Sequence, residues 1–432
     1  MNTLCKTVLL LILSTCFAGA LTLDEAIERG LSANAQVKIA KYAGDAARED
    51  QRSALTGFLP RATAKASYTR LNEAPVMTMP PEFGGMSIAM GQVDNYNLTL
   101  GVQQPIFTGG KIINGYRAAR LGAKIQEKNL ESEKNSTVIS IAQAYFGVVN
   151  AQLFVNTVAQ ARERMQGHLA VIEGMYAQGL VARNDLLQTR VASSEIDLMI
   201  IRANNAVNAA RLGLNFLLDF PSDTVFEIDP DTTIGDISRP ILKDGLDHGL
   251  KYRPDIQMLE LGLGAARAGE AITWGTFSPD IVGVFNWSYA RPNRANEEEF
   301  YDSWNVTLAA SWEILSFGER IFGVRKARTQ KNQTAETLDM ARRAAEMEIR
   351  NLHNSLEEAE QALTVSRKKL EQTNEAFKVA AAEFGTGLAA NTSVLDANSS
   401  LIQAQAGYIS AIADMKIAVI KYEAAIATLL KE

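Results

Sequence analysis

The strongest constraint on this chain is that it repeats itself. Leu23-Asp24-Glu25-Ala26-Ile27 opens a helical pattern that runs to Gly57-Phe58-Leu59-Pro60, and Leu242-Lys243-Asp244-Gly245-Leu246 opens another that runs to Thr276-Phe277-Ser278-Pro279. A shift of 219 superimposes them without a gap, setting Gly30 on Gly249, Ala46-Ala47-Arg48 on Ala265-Ala266-Arg267 and Pro60 on Pro279. From residue 96 the shift becomes 208 and stays there: Asn97 meets Asn305, Gly110 meets Gly318, and far downstream Gly179-Leu180 meets Gly387-Leu388. The difference, 219 − 208 = 11, is one insertion between Leu71 and Tyr96. Loops drift in length and a helical scaffold does not, so the repeated unit is expected to be mostly helix. The division that follows is a first repeat at 21–220, a linker at 221–240 and a second repeat at 241–432.

Within each repeat the hydrophobic period changes from helical to alternating and back. Ala62, Ala64, Ala66 and Tyr68 alternate with Arg61, Thr63, Lys65 and Ser67; Leu98, Leu100 and Val102 alternate with Asn97, Thr99, Gly101 and Gln103. In the second copy Ile281, Gly283, Phe285, Trp287 and Tyr289 form one face, as do Val306, Leu308, Ala310 and Trp312 against Asn305, Thr307, Ala309 and Ser311. A period of two means strands with one apolar face. At about ten residues they have the length of tilted membrane strands, and Tyr68, Trp287, Tyr289 and Trp312 are placed for an aromatic girdle at the lipid interface. The alternative, a strand pair packed on helices in a soluble domain, is strongest for the alanine-rich first strand.

A helix over about 111–178 follows, uninterrupted by proline, and its second-copy partner carries Ile349, Leu352, Leu356, Ala359, Leu363, Leu370, Phe377 and Phe384 at three-four spacing, a coiled-coil seam. Gly179 and Gly387 supply left-handed caps, and Asn184 or Asp185 can start the return helix at 185–219. That return helix and the first helix over 24–57 together match the long one, so two half-length helices are expected to meet end to end.

The first twenty residues differ in kind. Lys6, the apolar run Val8 to Leu13 and Ala18-Gly19-Ala20 are the three parts of a secretory signal peptide. Both cysteines, Cys5 and Cys16, fall inside it; Leu13-Ser14-Thr15-Cys16 also loosely fits a lipoprotein cleavage site, which leaves Cys16 open as a lipid anchor. No later unbroken apolar run reaches the length of a membrane helix, so a membrane would have to be spanned by strands. Four strands cannot close a membrane barrel, and closure then requires two, three or four copies around a lumen lined by Asn97, Thr99, Gln103, Asn305, Thr307 and Ser311.

Leu23-Asp24-Glu25-Ala26-Ile27, Arg253-Pro254-Asp255, Phe107-Thr108-Gly109-Gly110, Ser316-Phe317-Gly318 and the two Gly-Leu tips, in that order, resemble the TolC family of outer-membrane efflux and secretion channels over the whole mature chain. The resemblance implies a mainly α fold with a small β part: long antiparallel coiled-coil helices forming an α-barrel, and four strands contributed to a trimeric transmembrane β-barrel. It further implies a passive exit duct in the cell outer membrane that extends into the periplasm. Its partners would be two more copies of the chain, a periplasmic adaptor, an inner-membrane transporter and outer-membrane lipid. By the same resemblance Gly179, Leu180, Val181, Gly387 and Leu388 would contact the adaptor. Asp396 would belong to an acidic ring at the periplasmic aperture, with Ser393 where the family has a second acid. Asp185 would help hold the closed state, with Asn391 where the family has its arginine partner, Phe384 where it has a tyrosine, and Asn184 beside them. Apart from the resemblance, Asp396 is a solvated carboxylate on a helix face.

Other chemistry is not encoded. His168, His248 and His353 fit no metal-ligand spacing, no phosphate loop or nucleophile elbow is present, and the net charge of −6 carries no basic cluster for nucleic acid. The chain is therefore expected to be neither an enzyme nor dependent on a cofactor. Met77, Met79, Met86 and Met90 crowd the first outer loop, where soft-metal binding is conceivable but nothing in the sequence pins the sulfurs together, so a mobile loop is the expectation. The competing architecture is a periplasmic coiled-coil adaptor, which should carry larger soluble β-domains. The exported substrate and the pump class are not encoded.

Overall fold

The computed structural model describes residues 20–230, 241–293 and 297–430. Residues 1–19 of the expected signal peptide, with both cysteines, and 231–240 of the expected linker lie outside the described residues. The described residues form two compact units, and each draws on both halves of the sequence: one comprises those within 20–42, 128–257 and 340–430, the other those within 43–127 and 258–339.

The second of these holds the strands: β1 (Arg61–Arg70), β2 (Val76–Thr78), β3 (Ser87–Ala89), β4 (Asp94–Phe107), β5 (Asp280–Arg291) and β6 (Tyr301–Ser311). Four of them form an antiparallel sheet in the order β1-β4-β5-β6, while β2 and β3 pair separately. The register sets Ala64 opposite Leu100 and Ala66 opposite Leu98. Leu100 in turn faces Trp287 and Val102 faces Phe285. Phe285 faces Val306, and Trp287 faces Trp304. The alternation expected from the sequence therefore holds through the middle of the sheet, with one face apolar, and is interrupted toward its ends by Asp302 opposite Tyr289 and Gln104 opposite Gly283. The other face aligns Thr63 with Gly101 and Lys65 with Thr99, and Asn286 with Asn305.

The helices are α1 (Leu23–Ala33), α2 (Ala35–Thr56), α3 (Lys111–Ala177), α4 (Arg183–Leu217), α5 (Leu242–Tyr252), α6 (Pro254–Gly275), α7 (Glu319–Gly385) and α8 (Asn391–Ala425). Their lengths match in pairs: α1 and α5 have 11 residues, α2 and α6 have 22, α3 and α7 have 67, and α4 and α8 have 35. At 1.5 Å per residue α3 and α7 are each about 100 Å long.

The single first helix expected over 24–57 is instead two, broken at Asn34 (φ −57°, ψ 132°). In the second copy the break falls at Arg253, where the residue before Pro254 is pushed out of helical conformation. Asn34 has no proline behind it; its Oδ1 accepts the Gln36 N–H at 2.8 Å, replacing the lost helical bond. Its Nδ2 reaches the Leu217 carbonyl at 3.1 Å, and Arg29 Nε reaches the Leu218 carbonyl at 3.2 Å, so the end of α4 is capped at the break. His248 Nδ1 lies 2.6 Å from the Ile426 carbonyl at the end of α8.

The core of this helical unit is centred on Ile141, Tyr145, Val148, Leu214 and Leu218, joined by Phe226 and Ile228 from the segment after α4. Each buried Ile or Leu contributes about 1.5–3 kcal/mol. Leu21 pairs with Ile228 as a parallel bridge, and the Tyr145 hydroxyl bonds the carbonyls of Leu21 and Asp229 at 3.0 and 2.8 Å. A second cluster packs Ile349 and Leu356 of α7 against Met415 and Tyr422 of α8, as the three-four seam anticipates. One sequence expectation was too strict: α3 contains a stretch of mean hydropathy 1.5, long and apolar enough to cross a membrane by composition. Its Val138, Ile141, Ala142, Tyr145 and Val149 are buried in protein, which accounts for part of that apolarity.

Candidate functional site

Two places carry the features singled out in the sequence: the apolar face of the sheet and the hairpin ends of the long helices.

On the sheet, large apolar groups stand in the open. Leu100 is 44% exposed, Val306 and Leu308 are both 70% exposed, and Trp304 is 67% exposed. Aromatic rings gather at both ends. Toward the strand hairpins, Tyr68 lies 4.9 Å from Tyr96, and Tyr289 stacks at 5.0 Å on Phe300. At the helix end, Trp312 donates its indole N–H to the Phe277 carbonyl at 3.0 Å, and Phe277 lies 5.6 Å from Trp274. Trp287 stands between, parallel to Tyr289 at 6.1 Å. The 10 residues of β1 span about 33 Å along the strand; at a membrane strand's tilt that is about 25 Å, the height of an outer-membrane apolar band. Trp304, Tyr96 and Phe300 were not singled out in the sequence. Trp304 lies in β6 in phase with Val306, so its period was legible; Phe300 lies outside the strand and was not.

The hairpin ends are built alike. Gly179 (φ 74°) and Gly387 (φ 78°) are left-handed. Leu180 N–H returns to the Met175 carbonyl at 2.9 Å and Leu388 N–H to the Glu383 carbonyl at 2.8 Å. This closure leaves Leu180 66% and Leu388 81% exposed, while Val181 packs against a core of Ile172, Leu186, Phe384 and Val394. The start of α4 corrects the expectation for Asn184: Ala182 is the N-cap, and the Asp185 carboxylate turns back to accept the Ala182 N–H at 3.3 Å. Asn184 sits within the first turn, exposed.

Asn391 is the centre of the ends. It is 3% exposed at the first position of α8. Its Nδ2 donates to the Asp185 carbonyl and to Thr189 Oγ1, both at 3.1 Å. Its Oδ1 lies 2.7 Å from His168 Nε2. Thr189 Oγ1 also donates to the Asp185 carbonyl at 2.8 Å. Phe384 meets His168 edge-on at 5.1 Å. One neutral side chain thus ties α8 to α3 and α4 through hydrogen bonds, and the Asp185 carboxylate takes no part. Two turns on, Asn398 Oδ1 accepts from Arg164 Nε at 3.2 Å, and burial lowers the Arg164 pKa. His168, Thr189, Arg164 and Asn398 carried no sequence signal, because their partners lie some two hundred residues away. Asp396 and Asn184 do come together: both line a cavity of about 570 Å³ with Gln188, Glu195 and Asn398. Ser393 is exposed on the first turn of α8.

Arg253 of the Arg-Pro-Asp motif is placed elsewhere, at the α5–α6 break. Its Nε and Nη2 grip Asp255 at 3.0 and 2.8 Å, and its Nη1 forms an ion pair with Glu348 at 2.7 Å. Burial works against charge on Asp255, but the bonds from Arg253 and the Ile256 N–H overcome it and hold the carboxyl below the usual carboxylate range.

A sheet with an exposed apolar face, ringed at both ends by aromatics and carried by long coiled-coil helices, defines an outer-membrane conduit. The outer membrane efflux protein family model matches residues 26–218 and 246–428, and the chain belongs to that family. It is an efflux duct of the outer membrane with a periplasmic extension. No curated protein sequence matches it. Among solved structures, the outer membrane channel CmeC of Campylobacter jejuni is 17% identical, with a TM-score of 0.81 over 94% of this chain and 86% of that one. The outer membrane protein VceC of Vibrio cholerae is 18% identical, with a TM-score of 0.78 over 94% and 95%. The open-state MtrE channel of Neisseria gonorrhoeae is 17% identical, with a TM-score of 0.79 over 94% and 89%. At these identities the likeness is one of fold.

Proposed function

We propose that three copies of this chain form one passive duct, and that the two free sheet edges are the observation that carries this reading. Among the described residues β1 and β6 each have one neighbour. Unpaired backbone cannot face lipid, and four strands are half the smallest membrane barrel. Pairing β1 of one copy with β6 of the next keeps the antiparallel order, and three copies give 12 strands. The polar face, with Asn97, Thr99, Asn305 and Thr307, then lines the lumen. Residues 21–220 and 241–432 act as duplicated halves of each copy, joined by 221–240. The exposed Leu180 and Leu388, presented by Gly179 and Gly387 with Val181 beneath, dock a periplasmic adaptor, through which an inner-membrane transporter delivers cargo. Asp396 and Asn184 border the aperture, and Asn391, Asp185, Phe384 and Ser393 surround its closure. The conduit needs no catalytic group; selection belongs to the transporter.

The test is disulfide trapping across the edges. Cysteines at Ala64 and at positions 306–309 of β6, scanned singly in pairs, should give a covalent ladder that ends at three chains. A ladder ending at two or four, or no crosslink from protein recovered in the outer membrane, would overturn the trimer.

A further inference from the structure

The four outer-loop methionines, which the sequence leaves scattered, are brought onto one surface by strand register. β2 and β3 pair with Val76 opposite Ala89, Met77 opposite Ile88 and Thr78 opposite Ser87. The pairing continues one step in each direction, through Met79 N–H to the Met86 carbonyl at 3.0 Å and Met90 N–H to the Pro75 carbonyl at 2.7 Å. Side chains alternate between faces, so Met77, Met79, Met86, Ile88 and Met90 share one face, and Val76, Thr78, Ser87 and Ala89 share the other. On the second face the Thr78 and Ser87 hydroxyls lie 3.1 Å apart, as the register requires.

The turn fixes this register. Pro80 and Pro81 enter a 3-10 turn in which Phe83 N–H bonds the Pro80 carbonyl at 2.9 Å and Gly84 N–H bonds the Pro81 carbonyl at 3.1 Å. Gly84 (φ 92°) and Gly85 (φ 61°) then take left-handed conformations to return the chain. A slip of one residue would send the methionines of one strand to the other face. Met79 stands directly opposite Met86, and Met77 lies diagonal to both Met86 and Met90. Such pairs have Cβ atoms about 4.5–8 Å apart, a gap that two thioether side chains with three rotatable bonds each can span.

We propose that this face binds a soft monovalent cation, Cu(I) or Ag(I), through the thioethers of Met77, Met79 and Met86, with Met90 as a further donor. Neutral, polarizable sulfur selects such ions, and the two strands put no carboxylate on the face to hold a hard one. A face made only for apolar contact has no need of sulfur, yet these 14 residues hold four of the chain's 12 methionines. Met77, Met86 and Met90 are more than half exposed, so the donors are open to an ion. The site's position at the outer mouth rests on the duct reading; its chemistry does not.

The test uses the full chain in mild detergent, with Ag⁺ as the probe. Equilibrium dialysis with metal analysis should show one more Ag⁺ per chain than in the Met77→Leu/Met79→Leu/Met86→Leu/Met90→Leu variant, whose residual uptake is at least tenfold weaker. Leucine keeps volume and apolarity, so melting and oligomer size should not change. Equal Ag⁺ uptake by the two proteins overturns the proposal. Methyl-labelled methionine NMR reads the same point without substitution: the Met77, Met79 and Met86 signals should shift with Ag⁺ while buried Met165 and Met415 stay, and outer-loop signals that do not move overturn it. Neither experiment involves transport, so failure here leaves the duct standing.

Discussion

Replacing Asn391 by leucine should loosen the hairpin ends and raise conductance. The buried side chain makes three polar contacts, to the half-buried His168 Nε2 at 2.7 Å and to the Asp185 carbonyl and Thr189 Oγ1, both at 3.1 Å. Each such bond is worth about 1 kcal/mol net, and an orphaned buried partner costs about 1–3 kcal/mol. The loss is partial at the Asp185 carbonyl, which keeps the Thr189 hydroxyl at 2.8 Å. His168 Nε2 loses its partner outright. The sum is about 2–3 kcal/mol, or about 30- to 150-fold in the equilibrium between joined and separated ends, at 1.4 kcal/mol per tenfold. Single-channel recording in planar bilayers reads this directly: Asn391→Leu should show larger or more frequent openings than the parent, with the oligomer intact in mild detergent. A double-mutant cycle separates a tie from mere packing. His168→Leu with Asn391→Leu removes both polar partners of this contact, so the pair should be less damaging than the sum of the singles by about 1–2 kcal/mol. Parent-like conductance in folded Asn391→Leu, or strict additivity in the cycle, would refute the claim that this contact holds the ends together.

Three further outcomes follow from the same structure. Asp396→Asn should weaken block of the duct by multivalent cations in planar bilayers, since it removes a carboxylate from the cavity it shares with Asn184 and Glu195; unchanged cation sensitivity would sink its aperture role. Gly30→Ala places a methyl on Ile141 Cδ1 in the core and should cost about 1–3 kcal/mol in urea unfolding. Ile141→Val removes the obstructing atom, and the double variant should recover most of that loss, whereas no recovery would show that the close approach is not the cause. Asp255 has its pKa lowered in the folded state, so its contribution is present above the unfolded carboxylate pKa of about 4 and is lost as pH falls through the lower folded value. Acid unfolding of Asp255→Asn should therefore be shallower than that of the parent below about pH 4, a difference absent if the Arg253 pair is inconsequential.

Much of this protein was legible residue by residue, because the signals are local. Alternation at 61–68 and 97–103 sets which strand face is apolar whatever the neighbours are. Gly179 and Gly387 end helices because only a left-handed residue turns the chain there, and the unbroken 208 shift forces α3 to match α7 in length. The break at Asn34 was missed while that at Arg253 had Pro254 to announce it; the Asn34 side chain bonds the Leu217 carbonyl of α4, which no local pattern reveals. The hub at Asn391 was hidden for the same reason. Its type and position were visible, but its partners His168 and Thr189 are far away in sequence, and their meeting depends on how four helices pack. The outer-loop methionines make the point most simply. Their spacing was plain in the sequence, yet whether four sulfurs scatter or share a face is decided by the Met79–Met86 pairing, a register set by a turn. Periodicity and capping act within a few residues and are written in sequence order. Register between strands and hydrogen bonds between distant helices are set by packing, and only the folded chain holds them.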